Sequence, residues 1–452
     1  MSISSFEEKV TLTKLKFSVT LINQYNIRQI LKNNSLSLKE LANCIRFLSI
    51  DAVQKAKSGH PGMPMGMADI ATILFKDFLK FDPSDPQWPD RDRFILSNGH
   101  GSMLLYSCLY LTGYKDITIE EIKNFRKLNS KTAGHPEYNL RSGIETTTGP
   151  LSQGLANAVG IALAERILNN RFGDDIVDHY TYVFVGDGCL MEGLSLEAAS
   201  LAGHLNLNKL IVFFDNNSIS IDGSTNLTTS DNHIKRFESQ GWKTLAIDGH
   251  NHNEIKNAIE KSKKSKKPSF ISCKTKIGFG SPNKENTASA HGSPLGEEEV
   301  KLTRQKLNWV SSPFIIPKKL LHSWRNFSKR NKNLKDKWEK MLNASENKKK
   351  FLKYINNKMN EVVINNKVIN FKKQHVKEFT NCATRKSSEK VLEILNHEIN
   401  FLIGGSADLT GSNNTKTNSM IPITKNNFSG TYIYYGVREH AMAGIMNGIA
   451  LH

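Results

Sequence analysis

The chain has 452 residues, enough for two or three domains that each bury a core of their own. Its 38% hydrophobic and 23% charged residues are ordinary for a globular protein, and no apolar run approaches the ~18 residues of a membrane span. The first residues lack the pattern of a signal peptide, and the five cysteines are scattered without a CxxC pair. These features exclude a disulfide framework and predict a cytoplasmic chain with free thiols and no membrane partner.

The formal net charge of +18 raises the question of nucleic-acid binding. The excess is concentrated in Lys261–Lys267 and in a long Lys/Asn-rich stretch from Lys329 to Lys373. A nucleic-acid-binding stripe favours Arg with interleaved aromatic residues, whereas Lys with Asn is typical of a solvated surface. The composition therefore argues against a nucleic-acid partner, although charge alone keeps a basic nucleic-acid-associated protein as a third hypothesis.

Helical and strand-like segments alternate from Leu36 onward. A helical period at Leu41–Val53 ends at Ser58–Gly62, and a second helix is predicted at Leu155–Ile167. Short apolar runs predict buried strands at Phe94–Leu96, Tyr182–Val185, Leu210–Phe214 and Phe270–Cys273. Strands that alternate with helices predict an α/β fold with a doubly wound parallel sheet.

The pattern weakens after Trp309, and a new α/β unit begins near Thr384. Its helix is predicted at Glu389–Leu395 and its first strand at Phe401–Gly405. The predicted division is an N-terminal extension (1–35), a first α/β domain (36–323), a basic helical linker (324–382) and the start of a second, similar α/β domain (383–452).

The pair of motifs Gly186-Asp187-Gly188 and Asn216-Asn217 is the strongest chemical signal. Each follows a predicted buried strand, so the acid and the amide are expected at the carboxyl edge of the sheet, where such folds bind ligands. One carboxylate, one amide and a nearby backbone carbonyl suit Mg²⁺, a hard cation that prefers oxygen. A Gly-Asp-Gly turn alone is common, but with this spacing the pair resembles the thiamine-diphosphate (ThDP) signature.

Further motifs occur in an order that resembles the transketolase family, nearly collinearly from Leu36 to His452. They are Ser58–Gly62, Ser97–Ser102, Gly134–Glu137, Thr146–Leu151, Gly278–Lys284, Ala290–Gly292, Gly404–Leu409 and Tyr435–His440. The ThDP signature alone also admits deoxyxylulose-phosphate synthase or a decarboxylase. GFGSPNK with AHG and a separate SGHPG resembles transketolase in particular, which implies the thiamine-diphosphate-binding fold.

This resemblance implies a metal and cofactor site. Asp187, Asn217 and the backbone carbonyl of Ile219 would bind Mg²⁺, for which Ca²⁺ or Mn²⁺ can substitute, and the ion would hold the cofactor diphosphate. The residues implied to contact ThDP are His100, Gly149, Pro150, Leu151, Gly188, Asn217 and His291.

The resemblance also implies catalytic and substrate-binding residues. Glu439 matches the acid that protonates the aminopyrimidine ring of the cofactor. His60 and His291 would stand over the reactive carbon, bind substrate and move protons. Arg385 and Ser412 match the family's grips on the sugar phosphate. Asp408 belongs to the same loop region, whereas His135 and Asp215 receive only loop-shaping or supporting roles.

Taken singly, these residues have plainer interpretations. A loop histidine is usually ordinary surface, and a lone Asp or Asn is usually a turn residue. The plainer roles are turn formers for Gly149 and Pro150, core for Leu151, a helix-start charge for Arg385, loop caps for Ser412 and Asp408, and a surface acid for Glu439. Their joint occurrence in family order favours the functional interpretation.

The implied activity is reversible transfer of a two-carbon ketol unit from a ketose phosphate to an aldose phosphate through a ThDP enamine intermediate, in the pentose phosphate pathway. Xylulose 5-phosphate and ribose 5-phosphate are the expected partners. The family is homodimeric, with ThDP between the diphosphate-binding (PP) domain of one subunit and the pyrimidine-binding (Pyr) domain of the other. Residues 36–323 correspond to the PP domain and 383–452 to an incomplete Pyr domain, so Glu439 is expected to act in trans.

The chain also departs from the family pattern. Residues 1–35 resemble nothing in it, and after Leu451 a transketolase would continue through most of its Pyr domain and a third domain. We therefore expect a C-terminally truncated transketolase whose residues 383–452 fold poorly and whose 452 residues alone are inactive. The alternative is a non-catalytic relic that retains at most partial cofactor binding.

Overall fold

The computed structural model describes residues 36–357, 359–378 and 381–452, so the predicted extension 1–35 lies outside the described residues. The strands are β1 (Arg93–Leu96), β2 (Thr181–Gly186), β3 (Leu210–Asn216), β4 (Ile219–Ser220), β5 (Gly223–Ser224), β6 (Lys243–Asp248), β7 (Ser269–Lys274), β8 (Gly404–Ser406) and β9 (Tyr432–Tyr434).

The α-helices of the first part are α1 (Leu38–Ala56), α2 (Gly62–Ile73), α3 (Ser102–Thr112), α4 (Ile119–Lys123), α5 (Gln153–Phe172), α6 (Asp187–Met191), α7 (Gly193–His204), α8 (His233–Ser239), α9 (His252–Lys263) and α10 (Glu297–Lys306). Those that follow are α11 (Lys318–Ala344), α12 (Lys348–Ile355), α13 (Glu361–Glu378), α14 (Thr384–Glu398), α15 (Thr410–Asn413) and α16 (Glu439–Leu451).

The centre of the fold is a five-stranded parallel sheet in the order β1-β2-β3-β7-β6. From β1 to β3 the chain moves across the sheet in one direction, and from β6 to β7 it returns. Because parallel crossovers are right-handed, this reversal places helices on both faces of the sheet. The predicted doubly wound parallel sheet is confirmed.

Alternating side chains of the strands divide the core into two layers. Phe184 and Phe213 pack with α1, α2, α3 and α9 on one face, whereas Val183 and Val212 pack with α5, α7, α8 and α16 on the other. The strands are buried on both sides, which explains why they are continuous apolar runs in the sequence. This rigid sandwich fixes where each strand ends and therefore where the loops begin.

Helix α1 begins and ends at clear signals. Ser37 accepts a hydrogen bond from the Glu40 backbone N–H, and the Glu40 carboxylate accepts from Ser37 N at 2.9 Å, which completes a capping box. At the other end Lys57 adopts the left-handed conformation. The chain thus leaves the helix just before the Ser58–Gly62 loop and directs that loop toward the sheet edge.

The predicted boundary between residues 323 and 324 falls inside α11. Trp324 is fully buried, and its indole N–H donates to the Leu41 carbonyl at 3.2 Å. Trp338 is buried farther along α11 and donates to the Ile176 carbonyl at 2.8 Å. The first turns of the basic stretch are therefore packed onto the first domain.

The second α/β unit rests on α5 through α16. Gly160 of α5 and Gly448 of α16 let the two backbones meet: a Cβ on Gly160 would collide with the Ile445 carbonyl, and one on Gly448 with the Asn157 carbonyl. Ala441 and Ile445 lie fully buried in the same core layer. Small residues at the crossing are what permit this close helix contact.

Two details of the sequence prediction are wrong. The strand expected at Phe401–Gly405 begins only at Gly404, because Leu402 N donates to the Ile399 carbonyl at 3.2 Å and holds the preceding residues in a turn. Strand β6 was not predicted, because it is an edge strand whose residues are half-exposed or exposed, and its apolar residues Leu245–Ile247 lie between Thr244 and Asp248. Among the described residues, no helix is both long and apolar enough to cross a membrane.

We predict that Gly160→Ala weakens the docking of α16, because the added methyl group has no space beside the Ile445 backbone. The expected loss is about 1–3 kcal/mol in the free energy of unfolding, with faster amide exchange in residues 439–451. Gly193→Ala is the control, since a Cβ there meets nothing within 4 Å. Equal exchange in the two variants would contradict the packing argument.

Candidate active site

The carboxyl ends of three adjacent strands carry polar side chains to one edge of the sheet. Asn98 lies two residues after β1, Asp187 follows β2 directly, and Asn217 follows β3. The register pairs Gly186 with Asp215, so the ends of β2 and β3 are level. Ligands bind at this edge in open α/β sheets.

A cavity of about 290 Å³ opens at this edge. Its lining includes most residues proposed from the sequence, namely His60, His100, Gly149, Leu151, Asp187, Gly188, Asn217, Ile219 and His291. Pro150 is exposed and does not line the cavity, although both its neighbours do. The cavity also contacts Asp215, to which the sequence assigned only a supporting role.

Asp187 is buried without a partner for its charge. It is 8% exposed, and its Oδ2 atom accepts no hydrogen bond within the described residues. Burial, and then the nearby Asp215 carboxylate, raise the pKa of Asp187 to about 7. A bound cation would relieve both effects, because it supplies the opposite charge that the site lacks.

Asn217 is held in one orientation by its neighbours. Its amide nitrogen donates to Asp215 Oδ2 at 2.9 Å, and its oxygen accepts from Ile219 N at 2.9 Å. Asp215 also accepts from the Thr275 hydroxyl at the end of β7, and burial raises its pKa to about 6. These hydrogen bonds fix the orientation of the Asn217 amide. They leave one lone pair of its oxygen available to a ligand.

Glycines leave space for a ligand beside this carboxylate. Gly149 has φ +150°, and a Cβ there would lie 3.3 Å from His135. A Cβ on Gly188 would lie 2.8 Å from the Leu151 side chain. A side chain at either position would press against these neighbours, so at both glycines the backbone itself forms the cavity wall.

Three histidines also line the cavity. The rings of His60 and His100 are 5.1 Å apart, those of His60 and His291 5.7 Å, and those of His100 and His291 5.1 Å. Burial lowers the pKa of each, to about 4 for His60, where His291, Arg126 and His135 contribute further. The Nδ1 atoms of His60 and His291 are buried without a partner. The cluster therefore presents neutral imidazoles that are free to exchange protons.

The remaining proposed residues lie outside the cavity. Glu439, Arg385, Ser412 and Asp408 are all exposed, and none of them lines it. Glu439 is the first residue of α16, whose N-terminus is held against α7 because Glu197 accepts from Ala441 N at 2.9 Å. Within one chain, therefore, the proposed acid Glu439 and the proposed phosphate-binding residues Arg385 and Ser412 do not line the cavity that contains the proposed metal site.

Further residues line the cavity that were not proposed from the sequence: Met63, Asn98, Cys189, Ser220, Ile221 and Ile277. The position of Asn98 just after a buried strand was a usable signal. The apolar residues carried none, because an Ile or Met in a loop usually marks ordinary packing.

The residues present fit a hard cation and a diphosphate. Within the described part of the chain no group of three or more His, Cys, Asp or Glu is arranged for a metal, so a transition-metal cluster is not formed there. One buried unpaired carboxylate, one oriented amide oxygen and the Ile219 backbone form an oxygen-rich set of the kind that Mg²⁺ prefers, and the glycine wall gives room for phosphate groups.

Comparisons with known proteins agree with this geometry. Residues 37–362 match the family model for the transketolase thiamine diphosphate binding domain, and residues 380–452 match that for the transketolase pyrimidine binding domain. The transketolase of Sinorhizobium medicae is 49% identical over 425 residues, which are 94% of this chain and 61% of that protein.

Solved structures give the same result. Transketolase from Leishmania mexicana has a TM-score of 0.86 at 40% identity, with 93% of this chain and 63% of that one covered. A Pichia stipitis transketolase in complex with sedoheptulose-7-phosphate has a TM-score of 0.84 at 41% identity, with 92% and 63% covered. The chain therefore belongs to the transketolase family, and it spans less than two thirds of the length of these relatives.

We predict that the buried histidines of the cavity destabilise the cofactor-free chain as pH falls from about 6.5 toward 4, whereas Asp187 and Asp215, whose pKa values are raised, act in the opposite direction over this range. An unfolded histidine has a pKa of about 6.5, and burial lowers the pKa of His60, His100 and His291 in the folded state. Below pH 6.5 the unfolded state therefore binds more protons, so this contribution to stability is present above that pH and is lost as pH decreases.

The test compares the melting temperature of the parent at pH 7.5 and 5.0 with that of His100→Asn. The variant is expected to lose less stability over this interval, because it lacks one buried group that must become charged. His204→Asn, at an exposed position on α7, is the control and should follow the parent. An identical pH dependence in all three proteins would contradict the prediction.

Proposed function

We propose that this member of the transketolase family binds ThDP and Mg²⁺ at the cavity and contributes the PP-domain half of a transketolase active site. The proposed reaction is reversible transfer of a two-carbon ketol unit from a ketose phosphate to an aldose phosphate. The observation that carries the proposal is that the unpaired, buried Asp187 oxygen and the oriented Asn217 amide belong to residues that line one cavity, together with Gly149 and Gly188.

Asp187, Asn217 and the Ile219 carbonyl are the proposed metal ligands. His100, Gly149, Leu151 and Gly188 line the same cavity and are proposed to surround the diphosphate, with Pro150 shaping the loop between them. When bound, ThDP supplies a carbon nucleophile that accepts the two-carbon unit. The protein's part is to hold this group in a water-poor pocket with its reactive end toward the histidines.

His60 and His291 are proposed to move protons at the substrate hydroxyl and carbonyl groups. Their rings are 5.7 Å apart, and each keeps an unpaired Nδ1 atom. Because their pKa values are lowered, both are neutral near pH 7 and can accept a proton from a hydroxyl group. The acid role of Glu439 and the phosphate-binding roles of Arg385 and Ser412 remain proposals from the family resemblance.

Sugar phosphates are the proposed substrates, with xylulose 5-phosphate as donor and ribose 5-phosphate as acceptor. Transketolases from Pichia stipitis that resemble this chain were solved with sedoheptulose-7-phosphate, fructose-6-phosphate and xylulose-5-phosphate. The Arg385 guanidinium can donate hydrogen bonds to phosphate oxygens. Because Arg385 is exposed, it can contact a ligand that is bound to another copy of the chain.

A homodimer would bring Glu439 of one copy to the cavity of another. Exposed apolar side chains surround the start of α16 and the neighbouring α6 and α7, with Val437 73%, Met446 53%, Met191 40% and Leu196 40% exposed. Apolar surface concentrated near a functional residue favours coverage by a protein partner. This pattern supports the proposed assembly, in which Glu439 acts in trans.

A second candidate function is a non-catalytic relic that retains partial cofactor binding. The separation of Glu439 from the cavity within one chain favours it for an isolated copy. The division into segments 36–323, 324–382 and 383–452, the cytoplasmic location and the pathway context also stay predictions.

We predict that Asp187→Ala abolishes ThDP binding in the presence of Mg²⁺, because the ion loses its one anionic protein ligand. Isothermal calorimetry with ThDP and Mg²⁺ measures the loss. Asp222→Ala is the matched control, since Asp222 is an exposed acid on the β4–β5 turn and should leave affinity unchanged. Unchanged affinity in Asp187→Ala would defeat the metal assignment.

We also predict that residues 1–452, purified and assayed as a monomer, are catalytically silent. Mixed with xylulose 5-phosphate, ribose 5-phosphate, ThDP and Mg²⁺, the chain should release no glyceraldehyde 3-phosphate above a no-enzyme control. The physical reason is that no described carboxylic acid other than Asp187 and Asp215 lines the cavity, so the proton donor is missing there. Steady turnover would contradict both this prediction and the relic hypothesis.

A further inference from the structure

Asn98 is a buried polar residue whose side-chain oxygen has no hydrogen-bond partner in the described part of the chain. It is 1% exposed, and its Oδ1 atom accepts no hydrogen bond within the described residues. It stands at the N-cap of the short helical turn Gly99–Gly101, where asparagine usually caps the backbone, yet its side chain makes no capping bond. A buried amide left without partners costs stability, so a structural role does not explain it.

The side chain lies in the candidate active site. Asn98 lines the same cavity as Asp187 and Asn217. Its amide nitrogen is 3.7 Å from the position that a Cβ on Gly186 would take. Its backbone is fixed because Asn98 N donates to the Phe184 carbonyl of β2 at 3.4 Å. Asn98, Asp187 and Asn217 thus follow three adjacent strands, and all three line one cavity.

We propose that Asn98 is a further residue that binds the diphosphate–cation end of the cofactor. Its side-chain amide would donate a hydrogen bond to an anionic oxygen of this group and would accept one from a hydrating water. A side-chain amide has both a donor and an acceptor, which matches a ligand that carries anionic oxygens next to hydrated metal. This inference rests on the proposed function, since it places Asn98 at the same site.

Asn157 provides a matched control within the same fold. It is 5% exposed, and its Oδ1 atom is also buried without a partner, while its nitrogen donates to the Thr146 hydroxyl at 2.7 Å. It lies on α5 and does not line the cavity. Loss of either side chain removes a buried amide, but only Asn98 is positioned to reach the cofactor.

The experiment is calorimetric titration of ThDP into the parent, Asn98→Ala and Asn157→Ala, at several Mg²⁺ concentrations. Asn98→Ala is expected to weaken ThDP binding about tenfold, because it removes a hydrogen bond to a charged group, and to require more Mg²⁺ for saturation. Asn157→Ala is expected to bind within about twofold of the parent. Thermal unfolding establishes that each variant is folded, and Asn98→Leu, which keeps the volume, replaces the alanine variant if that one does not fold.

Each outcome is decisive. Folded Asn98→Ala or Asn98→Leu that binds ThDP as the parent does overturns the inference and leaves the proposed function standing. A weakened Asn157→Ala equal to Asn98→Ala overturns it too, because the effect would then come from lost packing. A parent that binds no ThDP overturns the proposed function and this inference with it.

Discussion

The parallel register of β1, β2 and β3 is the constraint on which the site depends. Because Gly186 is level with Asp215 across neighbouring strands, the residues that follow these strands meet at one edge. The strands are held in place by core on both faces, so their ends are fixed by packing far from the cavity. The polar side chains therefore need little support of their own, and the loops can be devoted to binding.

That edge is built around electrostatic demand that the protein does not meet itself. Asp187 and Asp215 are both buried, and only Asp215 has hydrogen-bond donors on both oxygens. Burying two carboxylates in a water-poor site is unfavourable unless a nearby cation compensates their negative charge. The neutral histidines on the other side supply no such charge, so the cavity has one end suited to a cation with phosphate and another suited to proton exchange.

Much of this arrangement was predictable from the sequence, for a physical reason. Strands such as Tyr182–Val185 are buried on both faces, so they are unbroken apolar runs, and the motif after each run then lies at the sheet edge. Strand β6 escaped prediction because it is an edge strand whose residues are half-exposed or exposed, with only Leu245–Ile247 apolar. The position of Asn98 after a buried strand was a signal, but an asparagine there also has an ordinary turn interpretation, and its unpaired oxygen and its place in the cavity are visible only in the structure.

Helix α5 connects the cavity with the second α/β unit. Its 20 residues form a rod of about 30 Å that starts beside the Gly149–Leu151 loop and ends near Arg171. There the Arg171 guanidinium donates to the Tyr354 hydroxyl at 2.5 Å and to the Asn400 carbonyl at 3.1 Å. The second α/β unit therefore contacts α5 from its first residue, Gln153, which hydrogen-bonds with His440 at 3.1 Å, to Arg171, so the helix that begins at the cavity wall supports that unit along its length.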